Sequence, residues 1–435
     1  MDHARSAHPG VQAALDRLSA LGPGADVLGL DRITRLLARL GDPHHALPPV
    51  FHVAGTNGKG STCAFLRAGL EAAGYRVHVY TSPHLVRFNE RIRVAGTLID
   101  DERLAALLGE VLDAGGDIGA SFFEVTTAVA FLAFARTPAD ACVIEVGLGG
   151  RLDATNVLAA PAVCGIAQLG IDHQAFLGDT IEAIAAEKAG IAKPGVPLVT
   201  PAYAAPVAAI VANVAGMAGA PLHVEGRDWR WQPEGDGLAF DDGERLALPA
   251  PALAGAHQLA NCALAAAMLR RQTMLAVPDD ALAAMARDAR WPARMQRLAT
   301  GPLTAPLGTT REVWLDGGHN PAAAEALAPA LARFGPKGVD LILGMLANKD
   351  PLGLLAPLAP SIASVTAIPV PDHASHSPDA LTAVAQQLGL AAATASSIDA
   401  AVAHVAARGS APAVLIAGSL YLAGEALARN DEPPA

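Results

Sequence analysis

Apolar positions along the chain keep two alternating rhythms. Short continuous runs, VFHVA (50–54), RVHVYT (76–81), ACVIEV (141–146), PAVCGIAQL (161–169) and VPLVT (196–200), have the length and composition of buried strands. Stretches with helical spacing separate most of them. In the uncharged run 201–222, Val207, Ile210, Val211, Val214 and Met217 fall on one face, with Pro201, Pro206, Gly216 and Gly219 punctuating it, which predicts an amphipathic helix. Strand alternating with helix predicts an α/β fold on a largely parallel sheet. Residues 223–250 break the rhythm: they are polar, aromatic and turn-rich, and predict a small antiparallel excursion. A helix is then expected from Gln258 to Arg271.

The stretch RWPARMQRLATGPLTAPLGTTREVWLD carries Pro292, Gly301, Pro302, Pro306 and Gly308, and it marks a domain boundary. Beyond it the α/β rhythm resumes with EVWLDGG (312–318), VDLILGM (339–345), SVTAIPV (364–370) and AVLIAGS (413–419). Two domains are therefore expected, residues 1–297 and a smaller α/β domain over 298–435.

Totals narrow the class. With 435 residues, 52% hydrophobic, sizeable cores can be buried. The uncharged runs 201–222 and 351–371 are broken by prolines, which argues against membrane spans. The N-terminus shows no apolar signal core, so a cytoplasmic protein is expected. Cys63, Cys142, Cys164 and Cys262 lie far apart in apolar segments and read as buried thiols. A net charge of -11 disfavours nucleic acid as a partner.

Candidate chemistry sits at strand ends. VAGTNGKGST (53–62) follows the first strand and opens a helix. It fails the usual phosphate-loop spelling, because Gly60 separates Lys59 from Ser61 and Thr62. Glycines 55, 58 and 60 would let backbone N–H groups converge on an anion at a helix N-terminus, with Lys59 reaching the terminal phosphates. Ser82 ends the second strand, in a loop that Arg87, Glu90 and Arg91 charge. Glu145 ends an apolar strand, where a carboxylate is costly unless paired or metal-bound. Asp172 and His173 follow another strand, at the edge where α/β sheets bind ligands. Lys188 in EKAGI reads, on its own, as a surface lysine. Asp316, His319 and Asn320 repeat the strand-end logic in the second domain, with Pro321 opening a helix. His373 and His376 read as part of a solvated loop.

Together these motifs resemble the folylpolyglutamate synthase/dihydrofolate synthase family of ATP-dependent Mur ligases. That family writes its loop GTNGKGS, with the additional glycine, where other Mur ligases read GTNGKT. SPHLVRFNERI, EVGLGGRLDATN, Asp172–Gly178, EKAGI, PAR (292–294) and DGGHNP match as well, so the resemblance spans nearly the whole chain. It implies an N-terminal phosphate-loop ATPase domain of Mur ligase type and a smaller Rossmann-like C-terminal domain.

By the same resemblance, Gly55, Thr56, Asn57, Gly58, Lys59, Gly60 and Ser61 contact ATP, together with Asn261, Arg294 and Asp316. Ser82, Glu145 and His173 hold magnesium, with two ions expected, and Lys188 matches a lysine carbamylated in relatives. Leu28, Gly29 and Leu30, Ser121, Phe122, Phe123 and Glu124, and Leu152, Asp153 and Ala154 match folate-site positions. His319 and Ser419 match the region near incoming glutamate; Lys59, Lys188 and His319 are the residues assigned to the chemistry. Three departures stand out: Gly317-Gly318 replaces an apolar residue and Ala, Ala293 stands where Gly is common, and Val27 where some relatives have Asp.

The activity implied is amide formation between L-glutamate and dihydropteroate, and then reduced folates, through an acyl phosphate made with ATP. A monomer whose two domains enclose a cleft suits that task. A single-step folate ligase, a peptidoglycan ligase and a non-catalytic nucleotide-binding regulator are the alternatives, in falling order.

Overall fold

The structure is a computed structural model describing residues 5–21, 28–409 and 411–434; Val27 lies outside the described residues. The chain divides into two compact units. The first holds residues up to His84, Phe88–Ala252 and Gln258–Arg290, and the second holds Leu85–Arg87, Leu253–His257 and the chain from Trp291.

The first unit is built on an eight-stranded sheet of β1 (Val50–Ala54), β2 (Val77–Tyr80), β3 (Ile92–Val94), β4 (Thr97–Leu98), β5 (Ala141–Glu145), β6 (Val163–Ile166), β7 (Leu198–Thr200) and β8 (Leu222–Val224). Their order is β4-β3-β2-β5-β1-β6-β7-β8. All pairs from β2 to β8 are parallel, while β3 and β4 add antiparallel pairs at one edge. The sequence pattern missed these two strands, which are short and carry Arg93 among apolar neighbours. Strands β1 and β5 are buried throughout, which explains their unbroken apolar runs. Helix Phe122–Ala135 is buried from Glu124 to Phe134, so it is apolar on all sides and fills the core beside β5 and the Asp101–Gly115 helix.

The amphipathic helix forms over Ala205–Ala218. Val207 and Val211 are buried as expected, but Met217 is 79% exposed and leaves the predicted face. The buried stripe continues to Ala215 instead, and Met217 lies about 200° around the helix from it. The antiparallel excursion is a three-stranded sheet of β9 (Arg230–Glu234), β10 (Gly237–Asp241) and β11 (Arg245–Leu248).

The second unit carries a six-stranded sheet of β12 (Gln296–Arg297), β13 (Glu312–Leu315), β14 (Val339–Leu343), β15 (Ile362–Ala367), β16 (Ala391–Thr394) and β17 (Ala413–Ala417), ordered β12-β13-β17-β14-β15-β16. Only β12 runs antiparallel. Both sheet faces are covered: along β14, Leu341 and Leu343 enter one core and Ile342 the other. Gln296 and Arg297 pair with Leu315 and Trp314, and the last stretch of the second unit runs from Trp291, a few residues before the boundary expected after residue 297.

All four cysteines are buried and free. Among the described residues, no helix is long and apolar enough to cross a membrane.

Candidate active site

The neighbouring parallel strands β2, β5, β1 and β6 end at one sheet edge, so their C-termini align Ser82, Glu145, the glycine loop and residues 167–173. The loop's backbone requires its glycines. Gly55 has φ 151° and Gly58 φ 83°, and Gly58 caps helix Lys59–Ala72. A Cβ on Gly58 would stand 2.5 Å from Asn261 Oδ1, so the Asn261 carboxamide lies directly against the loop. Thr56 and Asn57 donate their N–H groups to Gln168 O, and Thr56 Oγ1 donates to Gly170 O at 3.0 Å. Lys59 Nζ bends back over the loop and donates to Gly55 O (3.1 Å) and Thr56 O (3.4 Å). Gly60 follows inside the helix. Ser61 and Thr62 are buried, and Thr62 Oγ1 has no hydrogen-bond partner.

Glu145, only 4% exposed, accepts the Ser82 N–H at 3.3 Å. A buried carboxylate beside a hydroxyl-bearing residue is a hard oxygen donor set, which fits a divalent cation. His173 is exposed at the same edge in a left-handed conformation, φ 53°, its N–H held by Asp172 Oδ1 at 2.8 Å.

Lys188 is not on the surface. It is 5% exposed, on helix Ile181–Ala189, and Gly150 makes room for that helix: a Cβ there would meet Glu187 O at 2.7 Å and Lys188 O at 2.9 Å. Burial pushes the Lys188 amine down to about 7, helped by the charge of Lys59 and opposed by Asp172 and Asp153. The structure therefore gathers two lysines and two carboxylates into one electrostatic group. Asp172 belongs to it although the sequence reading assigned only its neighbour His173; its strand-end position was the available signal.

The folate-site candidates surround the start of helix Phe122–Ala135. Ser121 and Glu124 form a capping box: Ser121 N donates to Glu124 Oε2 (2.6 Å) and Glu124 N to Ser121 Oγ (3.3 Å). Arg32, on helix Asp31–Arg39, also donates to Glu124 Oε2 at 2.9 Å, which brings the segment after Leu28, Gly29 and Leu30 to this site. Glu124 Oε1 is buried without a hydrogen-bond partner. Phe122 and Phe123 are half-buried. Phe122 meets Phe88 edge-on at 6.0 Å, and the buried Arg91 guanidinium lies 5.6 Å from its centroid. Phe123 packs over Gly147, where any Cβ would collide with the ring. Leu152 is half-buried; Asp153 and Ala154 are buried. The Asp153 carboxylate accepts the N–H groups of Leu148 (2.8 Å) and Thr155 (3.0 Å), and burial raises its pKa against those bonds.

In the second unit, Asp316 follows β13, 3% exposed. Its Oδ2 accepts Met295 N–H and its Oδ1 accepts Gly318 N–H, each at 2.7 Å. Arg294 Nη1 donates to Ala293 O at 2.9 Å and would lie 2.8 Å from a Cβ on Gly317, so glycine at 317 leaves space for the guanidinium. Ala293 itself is left-handed, φ 53°, at a position where glycine would be unstrained. His319 Nδ1 donates to Gly317 O at 2.9 Å. Gly418 N–H donates to Gly318 O at 3.1 Å, which brings Ser419, the buried N-cap of helix Leu420–Arg429, beside this turn. His257 belongs to the same group: burial lowers its pKa while the Asp316 charge opposes the shift. Nothing in the sequence pattern singled it out.

The chain is similar to several known proteins. The family described as Mur ligase, glutamate ligase domain matches residues 294–420. The dihydrofolate synthase/folylpolyglutamate synthase of Bacillus subtilis (strain 168) is 38% identical over 338 residues, which is 74% of this chain and 76% of that protein. The structure of E. coli FolC in complex with DHPP and ADP matches with a TM-score of 0.86 at 34% identity, covering 97% of each chain. A bifunctional folylpolyglutamate synthase/dihydrofolate synthase with Mn, AMPPNP and L-glutamate bound matches with a TM-score of 0.84 at 33% identity, covering 96% of this chain and 97% of that one.

Proposed function

The chain belongs to the dihydrofolate synthase/folylpolyglutamate synthase family, and from that premise we propose that it is an ATP-dependent ligase with two acceptors. It joins L-glutamate to 7,8-dihydropteroate, giving dihydrofolate, and adds further glutamates to reduced folates. The observation that carries the reading is the convergence at one sheet edge of Lys59 on its glycine loop, buried Glu145, and a buried Lys188 whose amine is pushed down to about 7. A protein that only bound nucleotide would have no use for an amine poised near neutrality in that place.

In this reading Lys59 exchanges the carbonyls of Gly55 and Thr56 for the terminal phosphates of ATP, while the N-terminus of helix Lys59–Ala72 faces the same anion. Asn261 lines the loop against the nucleotide, and Arg294 and Asp316 are assigned to ATP by the family likeness alone. An acceptor carboxylate oxygen attacks the γ-phosphorus, ADP leaves, and an acyl phosphate results. The amine of glutamate, positioned by His319 and Ser419, then attacks the acyl carbon and expels phosphate.

Ser82, Glu145 and His173 would hold a divalent cation, which supplies positive charge against the transferring phosphoryl group. Lys188, neutral above about pH 7, is able to add CO2. The carbamate so formed would turn an amine into an anionic oxygen ligand at the metal site. Leu28–Leu30, Ser121–Glu124 and Leu152–Ala154 frame the pterin, with the half-buried rings of Phe122 and Phe123 as flat partners. Four free thiols suit a cytoplasmic setting.

The test is phosphate release with ATP, Mg²⁺ and L-glutamate, comparing 7,8-dihydropteroate with a reduced folate monoglutamate. Turnover with both is expected. Turnover with one alone would reduce the proposal to a single-step ligase, and none with either, by folded protein that binds ATP, would overturn it.

A further inference from the structure

Strand β1 leads into the phosphate loop, yet its middle residue is an imidazole among Val50, Phe51, Val53 and Ala54. His52 is fully buried. Its Nε2 lies 2.9 Å from Thr155 Oγ1, while Nδ1, also buried, has no hydrogen-bond partner. An unpaired buried nitrogen is destabilising, so stability alone would favour an apolar side chain here.

The proton roles follow from the partners. Thr155 has one hydroxyl proton, and it goes to Asp153 Oδ1. The hydroxyl must therefore accept from His52, which makes the ring the Nε2–H tautomer with Nδ1 bare. Burial keeps the imidazole neutral, its pKa pushed down to about 3 with a further contribution from Lys193.

Asp153 passes the constraint on. Its carboxylate accepts Leu148 N–H and Thr155 N–H, and Gly147 N–H also bonds to it, so it clamps the turn after β5. Gly147 in turn carries the Phe123 ring where a Cβ would otherwise stand.

We propose that His52 is a positioning residue for the acceptor pocket. Through Thr155 it fixes Asp153, and through Asp153 the Gly147–Gly150 turn and the Phe123 ring, although it lies on the strand that bears the ATP loop. This rests on the assignment of Asp153 and Phe123 to the pterin site made above.

The experiment is steady-state kinetics of His52→Phe, His52→Gln, Thr155→Val and the Phe/Val double variant, with dihydropteroate and ATP varied separately. His52→Phe keeps a planar ring and removes the donor, whereas His52→Gln keeps an N–H donor. Losing one internal hydrogen bond should raise the KM for dihydropteroate about fivefold in His52→Phe and Thr155→Val. The KM for ATP should stay within about twofold of the parent. Gln should restore most of the loss, and the double variant should be no worse than Thr155→Val, because both act on one chain.

Equal rises in the two KM values, or additive losses in the double variant, would show that His52 merely packs the strand and would overturn the relay. Nitrogen-15 shifts of the His52 ring reporting Nδ1–H would overturn it too, and that readout needs no variant to fold. Wild-type turnover is measured first. Its absence with dihydropteroate would overturn the pocket assignment, whereas wild-type turnover with an unchanged acceptor KM in both single variants would overturn the relay alone.

Discussion

Replacing Lys188 by Met should make the protein more stable in acid and inactive. The Met side chain is of similar length and apolar, so it suits a site only 5% exposed. The amine's ordinary pKa of 10.5 falls to about 7 in the fold, chiefly through burial and then through repulsion from Lys59. At 1.36 kcal/mol per pKa unit, that difference corresponds to about 5 kcal/mol of folding free energy at most. Because the folded-state pKa lies below the unfolded one, the penalty is complete below about pH 7, where both states carry the proton. Between about 7 and 10.5 the unfolded chain keeps a proton that the folded chain has released, so parental stability rises with pH. Lys188→Met should therefore exceed the parent by about 2–5 kcal/mol at pH 6, and the gap should close toward pH 10. Urea unfolding followed by circular dichroism in CO2-depleted buffer measures this, with turnover assayed on the same samples. Added bicarbonate should raise parental activity above pH 7 and leave the variant inactive. A variant less stable than the parent at pH 6, or a gap independent of pH, would refute the electrostatic argument, because the ammonium would then have gained enough partners to offset its burial.

Gly58→Ala should weaken ATP binding at least tenfold by calorimetric titration, since φ 83° disfavours a side chain and its Cβ would stand 2.5 Å from Asn261 Oδ1. Ala293→Gly should destabilise the second unit by about 0.5–1 kcal/mol in thermal unfolding, because relief of a left-handed alanine is outweighed by glycine's chain entropy together with the loss of a fully buried methyl. Gly317→Ala should abolish most turnover while ATP-independent folding of the first unit survives, because the new methyl would collide with Leu420 and approach Arg294 Nη1 to 2.8 Å. Paired activity and circular dichroism measurements separate those two effects.

Most of the frame was legible from local pattern. Strands β1, β5, β13 and β17 are apolar runs interrupted only by His52, Glu145 and Glu312, because both faces of each are largely covered. The glycine loop was legible for a different reason: positive φ at Gly58 is a backbone requirement that few residues meet, so the sequence records it directly. Strands β3 and β16 were not read, one because it is three residues long with an arginine at its centre, the other because AAAT has no β-branched residue before its last.

Lys188 marks where local pattern stops being informative. In EKAGI it looks like one cation on an ordinary helix. Its burial depends on Gly150 admitting the helix, and its charge on Lys59, Asp172 and Asp153, which arrive from three other places in the chain. No window of the sequence contains that convergence. Ala293 shows the complementary case: its departure from a commoner glycine was visible in PAR, but its consequence lies in a φ of 53° beside Arg294. A residue's type can be read locally, whereas its pKa and its strain belong to the fold. The residues proposed to carry the chemistry, Lys188 above all, are therefore those whose behaviour only the assembled sheet edge explains.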